Sequence, residues 1–171
     1  YNEFAPQVDD ACIVTGNHGE CIEVVATVTN IGKHYAGKEV VQVYVEAPQG
    51  MLGKPARSLV GFAKTKLLQP GECERLSIHI PVKSLASYDD TGITGYRSAY
   101  VLEAGTYKLY VGSDVKSAAP ITVSGKQGYE VKALRVIEQL EEALAPVAGL
   151  RRIKPGERQA DGSYAIDYEE V

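Results

Sequence analysis

The sequence predicts an all-β fold, a sandwich of about seven antiparallel strands. Several short segments alternate apolar and polar residues, and a period of two is typical of half-buried strands. Turn sequences separate these segments, with no helical pattern between them, which favours a sandwich over strand-helix-strand units. A chain of 171 residues, 44% of them hydrophobic, is long enough for one sizeable core.

The predicted strands follow one another along the chain from residue 11 to residue 124. Segments 21–30 and 39–46 alternate most clearly, and segments 75–82 and 107–111 repeat the pattern. In each, one parity is expected to face the core and the other the solvent. The residues predicted to face inward are Ile22, Val24, Ala26, Val28, Val41, Val43, Val45, Leu76, Ile78, Ile80, Val82, Tyr107, Leu109 and Val111.

Turn residues stand between the strands, as a sandwich requires. Gly, Pro, Asn and Asp favour turns because they permit positive φ angles, fix φ or bond to the local backbone. The predicted turns are Gly16-Asn17-His18-Gly19, Asn30-Ile31-Gly32, Pro70-Gly71, Asp89-Asp90-Thr91-Gly92, Ala104-Gly105 and Gly112-Ser113.

The spacing of apolar residues along the chain changes after Gly128. Leu134, Ile137, Leu140 and Leu144 recur every three or four residues, which predicts one amphipathic helix over 129–145, ended by Pro146. Beyond it, residues 147–171 are expected to form a linker with turns at Pro155-Gly156 and Asp161-Gly162. Tyr164, Ile166 and Tyr168 alternate there, as in a short strand.

Composition narrows the class of protein. The formal net charge is -4, and no run of Lys and Arg exceeds the pair Arg151-Arg152, so nucleic acid is not expected as a partner. No stretch approaches the roughly 20 apolar residues of a membrane span, so a membrane is not expected either. Cys12, Cys21 and Cys73 are odd in number and lack CxxC spacing, which predicts free thiols in a reducing compartment. With no signal-peptide pattern at its N-terminus, the chain is expected to be cytoplasmic. Because it does not begin with Met, it is interpreted as a piece of a longer protein.

Patterns that would carry catalysis or bind a cofactor are weak. His18, His34 and His79 show no metal-ligand spacing, and we interpret each as a solvated side chain. The pair Asp89-Asp90 could serve glycoside hydrolysis, which needs two carboxyl groups, but its sequence context is typical of a solvated turn. Ser113 and Lys116 match the SxxK pattern of a serine nucleophile. We interpret the match as chance, because the further motifs of that catalytic site are absent. No Gly-rich phosphate loop is present. The sequence therefore predicts no catalytic, cofactor or metal residues and no cofactor.

The eleven tyrosines, in a chain without tryptophan, raise another possibility. Exposed aromatic rings can stack on sugars, and Tyr88, Tyr96 and Tyr100 cluster near one loop, with Tyr35 and Tyr44 near another. Packing of tyrosine rings at edges and interfaces is the favoured interpretation. Tyr107 could form a tyrosine corner, in which the hydroxyl bonds to the upstream backbone.

Six blocks of sequence resemble, in order, the fibronectin type III-like domain of glycoside hydrolase family 3, the β-glucosidase and β-xylosidase group. The resemblance covers roughly residues 11–124. The blocks are Val28–Gly32, Ala36–Val45, Leu59–Lys64, Leu68–Glu72, Ser84–Asp89 and Glu103–Tyr107 continued through Val111–Ser113.

This resemblance implies a non-catalytic domain, because in the family the nucleophile and the acid/base carboxylate belong to other domains. We therefore expect an accessory domain that packs against and orients the catalytic domains of the same parent chain, with homo-oligomer contacts possible. The parent is expected to be a glycosidase. The sequence after 124 is similar to permuted members, in which the sandwich is internal. The predicted segments are a linker (1–10), the sandwich (11–124), a connector helix (125–146) and a C-terminal linker (147–171).

Two alternatives stay open. One is a carbohydrate-binding module that uses Tyr88, Tyr96 and Tyr100, and the other is an adhesion-type immunoglobulin-like domain. If a loop of the accessory domain reaches an active-site rim, the candidates are Lys33–Gly37 and Gln49–Arg57, the second of which contains Met51-Leu52.

Overall fold

A computed structural model describes residues 3–16, 19–141 and 149–170. Within these ranges the chain forms β-strands, one 3-10 helix at Val82–Leu85, and no α-helix. The strands are β1 (Phe4–Gly16), β2 (Gly19–Asn30), β3 (Val40–Glu46), β4 (Ser58–Lys64), β5 (Cys73–Pro81), β6 (Ser87–Asp89), β7 (Ala99–Leu102), β8 (Gly105–Gly112), β9 (Ala119–Ile121), β10 (Tyr129–Val131), β11 (Arg135–Gln139), β12 (Arg151–Arg158) and β13 (Tyr164–Glu170).

Two sheets correspond to the predicted sandwich. One has the order β1-β2-β5, with both pairs antiparallel. The other has the order β10-β8-β3-β4, and the short strand β9 pairs antiparallel with β8. The all-β class and the antiparallel pairing are therefore confirmed.

The alternation seen in the sequence determines which side chains form the core. In β2, Ile22, Val24, Ala26 and Val28 are fully buried, and their neighbours in the strand are only partly covered. In β3 the alternate valines Val41, Val43 and Val45 are buried, whereas Val40 is only partly covered. Burying each of these aliphatic side chains contributes about 1.5–3 kcal/mol, so the two inward faces supply most of the hydrophobic stabilisation.

Close packing between the sheets also explains one glycine. A Cβ on Gly61 of β4 would lie 2.9 Å from a methyl carbon of Ile78 and 3.0 Å from a side-chain carbon of Ile80, both in β5. Larger residues at position 61 would therefore separate the edges of the two sheets.

The chain divides into two compact units. Unit 1 comprises Tyr1–Val45, Leu59–Ser84 and Lys108–Tyr129, and it includes most of the two large sheets. Unit 2 comprises Glu46–Ser58, Leu85–Tyr107 and Glu130–Val171. Within unit 2 lie the three-stranded sheet β11-β7-β6 and the antiparallel hairpin β12-β13.

The predicted helix is wrong over its described part. Tyr129–Val131 forms β10 and Arg135–Gln139 forms β11, which pairs antiparallel with β7. Tyr129 and Val131 are buried on either side of exposed Glu130, a period of two that the longer apolar spacing concealed. Pairing with neighbouring strands thus overrides the helical pattern. Leu144 and Pro146 lie outside the described residues.

Both predicted linkers contain strands as well. Phe4–Asp10, expected to be linker, forms the first half of β1 and pairs with the end of β2. The C-terminal segment forms the hairpin β12-β13, so the alternation of Tyr164, Ile166 and Tyr168 predicted a strand correctly. Pro155-Gly156, expected to be a turn, lies in β12 at a register shift. The boundaries of the sandwich at 11 and 124 stay a prediction.

Candidate functional site

A buried ion pair organises the loop between β3 and β4. Lys54 and Glu103 are 3% and 4% exposed, and their charged groups are 2.5 Å apart. The Lys54 ammonium also donates to the backbone oxygen of Pro48 at 2.9 Å. The Glu103 carboxylate accepts hydrogen bonds from the backbone N–H groups of Met51 and Leu52 at 2.5 and 3.2 Å. Each buried charge is therefore compensated by an opposite charge and by backbone groups, as burial demands.

The loop Gln49–Arg57, one of the two candidate rim loops, is consequently held in one conformation. The side chain of Gln49 donates to the Lys54 carbonyl at 3.0 Å and accepts from the Lys54 N–H at 3.3 Å. Leu52 is buried, whereas Met51 is 48% exposed. A Cβ on Gly50 would overlap the Glu103 carboxylate, so only glycine fits there without displacing it. Met51 is thus an exposed apolar side chain on a loop whose backbone is held by these hydrogen bonds.

Tyr107 forms the predicted tyrosine corner. Its ring is fully buried, and its hydroxyl donates to the backbone carbonyl of Glu103 at 3.2 Å. Burial raises the pKa of Tyr107 to about 12, against the weaker lowering effect of this hydrogen bond. Tyr107 is therefore neutral at physiological pH, and its role is structural.

The second candidate rim loop, Lys33–Gly37, is anchored by Asn30 within unit 1. The Asn30 side chain is fully buried, donates to the carbonyls of Tyr35 and Leu68 at 3.0 and 2.9 Å, and accepts from the Gly32 N–H at 3.0 Å. Tyr35 itself is 65% exposed. The asparagine in the Val28–Gly32 block is thus explained by the backbone groups that it satisfies.

Asp89 was expected to be solvated, and this expectation is wrong. Its side chain is fully buried and accepts hydrogen bonds from the backbone and hydroxyl groups of Thr91 and Thr94 and from the Gly92 N–H, at 2.6–3.1 Å. Burial alone would raise the pKa of Asp89, but these hydrogen bonds outweigh it and the net pKa is lowered. A carboxylate saturated in this way shapes its own loop and has no free lone pair directed at a substrate.

Asp90 points to a different partner. It forms an ion pair with Arg152 of β12 at 2.5 Å, and the same guanidinium binds Glu169 of β13. Burial lowers the pKa of Arg152, but the two carboxylates outweigh it and the net pKa is raised, so the charge is permanent. The two carboxylates of Asp89-Asp90 therefore serve separate structural networks and do not face a common reaction site.

The three tyrosines that could stack on a sugar, Tyr88, Tyr96 and Tyr100, do not form one flat surface. Tyr88 of β6 and Tyr100 of β7 lie opposite one another, each 40% exposed, with ring centroids 5.2 Å apart. Their planes are inclined by 51°, so the two rings do not offer one flat stacking surface. Tyr96 is 46% exposed in the loop between these strands. Tyr44, in contrast, is buried and donates its hydroxyl to the side chain of Gln42.

The remaining candidates show no catalytic arrangement. His34 is exposed beside Tyr35, and His79 is exposed and 3.4 Å from Glu23, while His18 lies outside the described residues. The hydroxyl of Ser117 and backbone N–H groups surround Asp114, which makes the SxxK segment a local turn.

Metal-ligand clusters and membrane-spanning helices are both absent from the described residues. In residues 3–16, 19–141 and 149–170, no three or more His, Cys, Asp or Glu side chains are grouped to hold a metal ion. Over the same ranges, no helix has the length and apolar character needed to cross a membrane.

Sequence reasoning missed the buried Lys54–Glu103 pair. The residues are 49 positions apart, and each appears as an ordinary surface charge in its own segment. The only signal was the apolar context of Glu103, which follows Val101-Leu102 and precedes Ala104-Gly105 in one of the six blocks.

Comparison with known proteins yields one family and a set of related enzymes. Residues 39–115 match the model of the fibronectin type III-like domain. A β-glucosidase of Ruminococcus albus is 48% identical over 150 residues, which cover 88% of this chain and 15% of that protein. β-Glucosidase A of Butyrivibrio fibrisolvens is 42% identical over 145 residues, covering 85% of this chain and 16% of the relative.

Solved structures agree. The crystal structure of a β-glucosidase from Paenibacillus barengoltzii superposes with a TM-score of 0.94 and 51% identity, over 100% of this chain and 18% of that chain. β-Glucosidase 3B from Thermotoga neapolitana, in complex with α-D-glucose, gives a TM-score of 0.62 and 34% identity over 81% of this chain and 17% of that chain. The chain thus spans less than one-fifth of the length of each of these proteins.

Proposed function

Because residues 39–115 belong to the fibronectin type III-like domain family, we propose that the chain is a non-catalytic accessory domain of a glycoside hydrolase family 3 enzyme of the β-glucosidase type. One observation carries this proposal: all of the chain superposes, with a TM-score of 0.94, on 18% of a β-glucosidase from Paenibacillus barengoltzii. The partners proposed for it are the catalytic domains of its own parent chain.

The role proposed for the domain is mechanical. The buried charged side chains are occupied in structural networks, as in the Lys54–Glu103 pair and the hydrogen-bonded Asp89. Such networks fix the local conformation of loops, and a domain whose loops are fixed can hold neighbouring domains in a defined orientation. The loop Gln49–Arg57, with Met51 exposed on it, is proposed to contact a catalytic domain near its active-site rim. A cytoplasmic location is proposed from the free thiols of Cys12, Cys21 and Cys73.

The test of the enzymatic assignment uses two proteins. The full-length parent and the 171-residue chain are each assayed for hydrolysis of an aryl β-glucoside and an aryl β-xyloside. The proposal expects turnover by the parent and none by the chain. Turnover by the chain, or an inactive parent, contradicts it.

Direct sugar binding is the second candidate function, and the facing pair of half-exposed rings, Tyr88 and Tyr100, is the observation that favours it. A titration of the chain with glucose, xylose, cellobiose and soluble β-glucan, followed by amide NMR shifts, separates the two. Saturable shifts around these tyrosines would favour a binding module, and their loss in Tyr100→Ala would locate the site. An unchanged spectrum at millimolar sugar supports the accessory role.

A further inference from the structure

The hairpin β12-β13 has two chemically different faces. Residues directly opposite in an antiparallel pair project from the same face. Arg152 is opposite Glu169 and Lys154 is opposite Asp167, so one face carries alternating charges. On the other face Ile153 is opposite Tyr168, and Pro155 is opposite Ile166.

The charged face is directed at the rest of unit 2. Arg152 of this face is tied to Asp90 in the loop after β6, and it is only 25% exposed. The loop before β4 also approaches this hairpin, because a Cβ on Gly53 would lie 2.7 Å from the Cβ of Lys154. These contacts fix the hairpin in one orientation and leave its other face outward.

The outward face is strongly apolar and open. Ile153 is 65% exposed, Ile166 is 72% exposed and Tyr168 is 48% exposed. A groove of about 450 Å³ continues this face and is lined by Pro55, Ala56, Ile153, Pro155 and Ile166, among others. Adjacent side chains of this size seldom stay in water, and two-stranded hairpins gain stability only when such a face is covered.

We propose that this apolar face, defined by Ile153, Ile166 and Tyr168, is the surface on which another domain of the same parent chain docks. The occupant is inferred from length. A β-glucosidase superposes on all of this chain, hairpin included, with 51% identity and over only 18% of its own length, so more than four-fifths of that polypeptide is available to cover the face. The inference rests on the proposed function, since it presumes a parent chain of this kind.

Charged residues lie at the margin of this apolar face. Arg151 lies over the Tyr168 ring at 5.0 Å from its centroid, and Arg151 is opposite Glu170 at the end of the face. An apolar centre with a charged margin is the usual anatomy of a stable interface.

The test is thiol labelling of two single-cysteine substitutions in the full-length parent protein. Ile166→Cys places a thiol on the apolar face, and the matched control Asp167→Cys places one on the charged face of the same strand, where the aspartate is 57% exposed. Peptide mass spectrometry separates either label from those on Cys12, Cys21 and Cys73. Each rate is divided by the rate at the same position in the denatured protein.

The proposal expects the normalised rate at position 166 to be at least about tenfold lower than at position 167, because a thiol on a covered face reacts only when the docked domain separates from it. Equal rates, or faster labelling at 166, would overturn it. Protection that disappears on dilution to nanomolar concentration would assign the face to a second copy and would also overturn it.

The same samples distinguish this failure from failure of the proposed function. Hydrolysis of a β-glucoside together with fast labelling at position 166 refutes the docking surface alone. Slow labelling in a parent that hydrolyses no β-glycoside refutes the enzymatic assignment alone.

Discussion

Replacement of Lys54 by Met tests the buried ion pair most sharply. Methionine fills a similar volume but has no charge, so Glu103, which is 4% exposed, loses its cation and keeps only the N–H groups of Met51 and Leu52. Breaking a buried pair by removing one partner costs about 3–5 kcal/mol. The carbonyl of Pro48 loses its donor in the same change. We therefore expect a loss in this range.

In a chain of this size, each kcal/mol lowers the melting temperature by about 2–4 °C, so the expected decrease is about 6–20 °C. Urea unfolding followed by far-UV circular dichroism measures the free energy of unfolding, since the chain has no tryptophan to report by fluorescence. The matched control is Lys83→Met, because Lys83 is an exposed residue of the 3-10 helix. Its effect is expected within about 0.5 kcal/mol.

A double-mutant cycle completes this test. Glu103→Gln removes the negative charge but keeps an acceptor for the loop, so the double variant leaves no uncompensated charge. We expect Lys54→Met and Glu103→Gln together to cost about 0.5–3 kcal/mol less than the sum of the single changes. If Lys54→Met lowers the free energy of unfolding by less than about 1 kcal/mol, or if the effects of the two changes are strictly additive, burial of this ion pair does not contribute to stability as expected.

Three further predictions concern buried hydrogen bonds and packing. Burial raises the pKa of Tyr107 to about 12, so the neutral hydroxyl stabilises the folded state fully below pH 10, and this stabilisation is lost as pH rises to 12. The free energy of unfolding should therefore fall by about 2–3 kcal/mol over that interval. Tyr107→Phe should remove this slope in pH-dependent urea unfolding, and an unchanged slope would exclude Tyr107 as its source. Asn30→Ala loses three hydrogen bonds and should cost about 3 kcal/mol by the same assay, whereas a cost below 1 kcal/mol would show that water replaces them. Gly50→Ala should lower the melting temperature because its methyl group overlaps Glu103, while Gly16→Ala, with open space around it, should not; equal effects in calorimetry would contradict the packing argument.

The sandwich could be predicted because the inward positions of its strands alternate with more polar or less buried ones, most regularly in β2. In β2 and β3 every inward position is an aliphatic residue, so the period of two determined both the strands and the core. Tyr107 was also predictable, since its place near the start of a late strand suggested the tyrosine corner.

The helix predicted after Gly128 was wrong for a physical reason. The leucine and isoleucine spacing from 134 to 140 is typical of a helix, but pairing of Arg135–Gln139 with β7 determines the structure there. A register shift between Val136 and Glu138 places two residues against one of the partner, and this destroys the period of two on which strand prediction depends.

The candidate site was harder to predict than the fold. Asp89 looks like a residue of a polar turn, and its burial follows only from the loop that closes over it. Lys54 and Glu103 meet across 49 residues, a pairing that no local pattern in either segment encodes. The resemblance to a known family implied a domain without catalytic residues. Only the structure shows that its buried charged residues form ion pairs and hydrogen bonds that hold loops.

The proposed role of this domain is that of a rigid support on which the parent enzyme depends. Its most direct test is the heat-inactivation midpoint of β-glucoside hydrolysis in the full-length parent, compared between the unmodified protein and Asn30→Ala, a change confined to a buried side chain of this domain. Turnover at 25 °C should be unchanged. The midpoint should fall by up to about 12 °C, because a loss of about 3 kcal/mol lowers the melting temperature of a unit of this chain's size by about 6–12 °C and that of a larger cooperative unit by less. An unchanged midpoint in a parent whose domain is demonstrably destabilised would contradict the account.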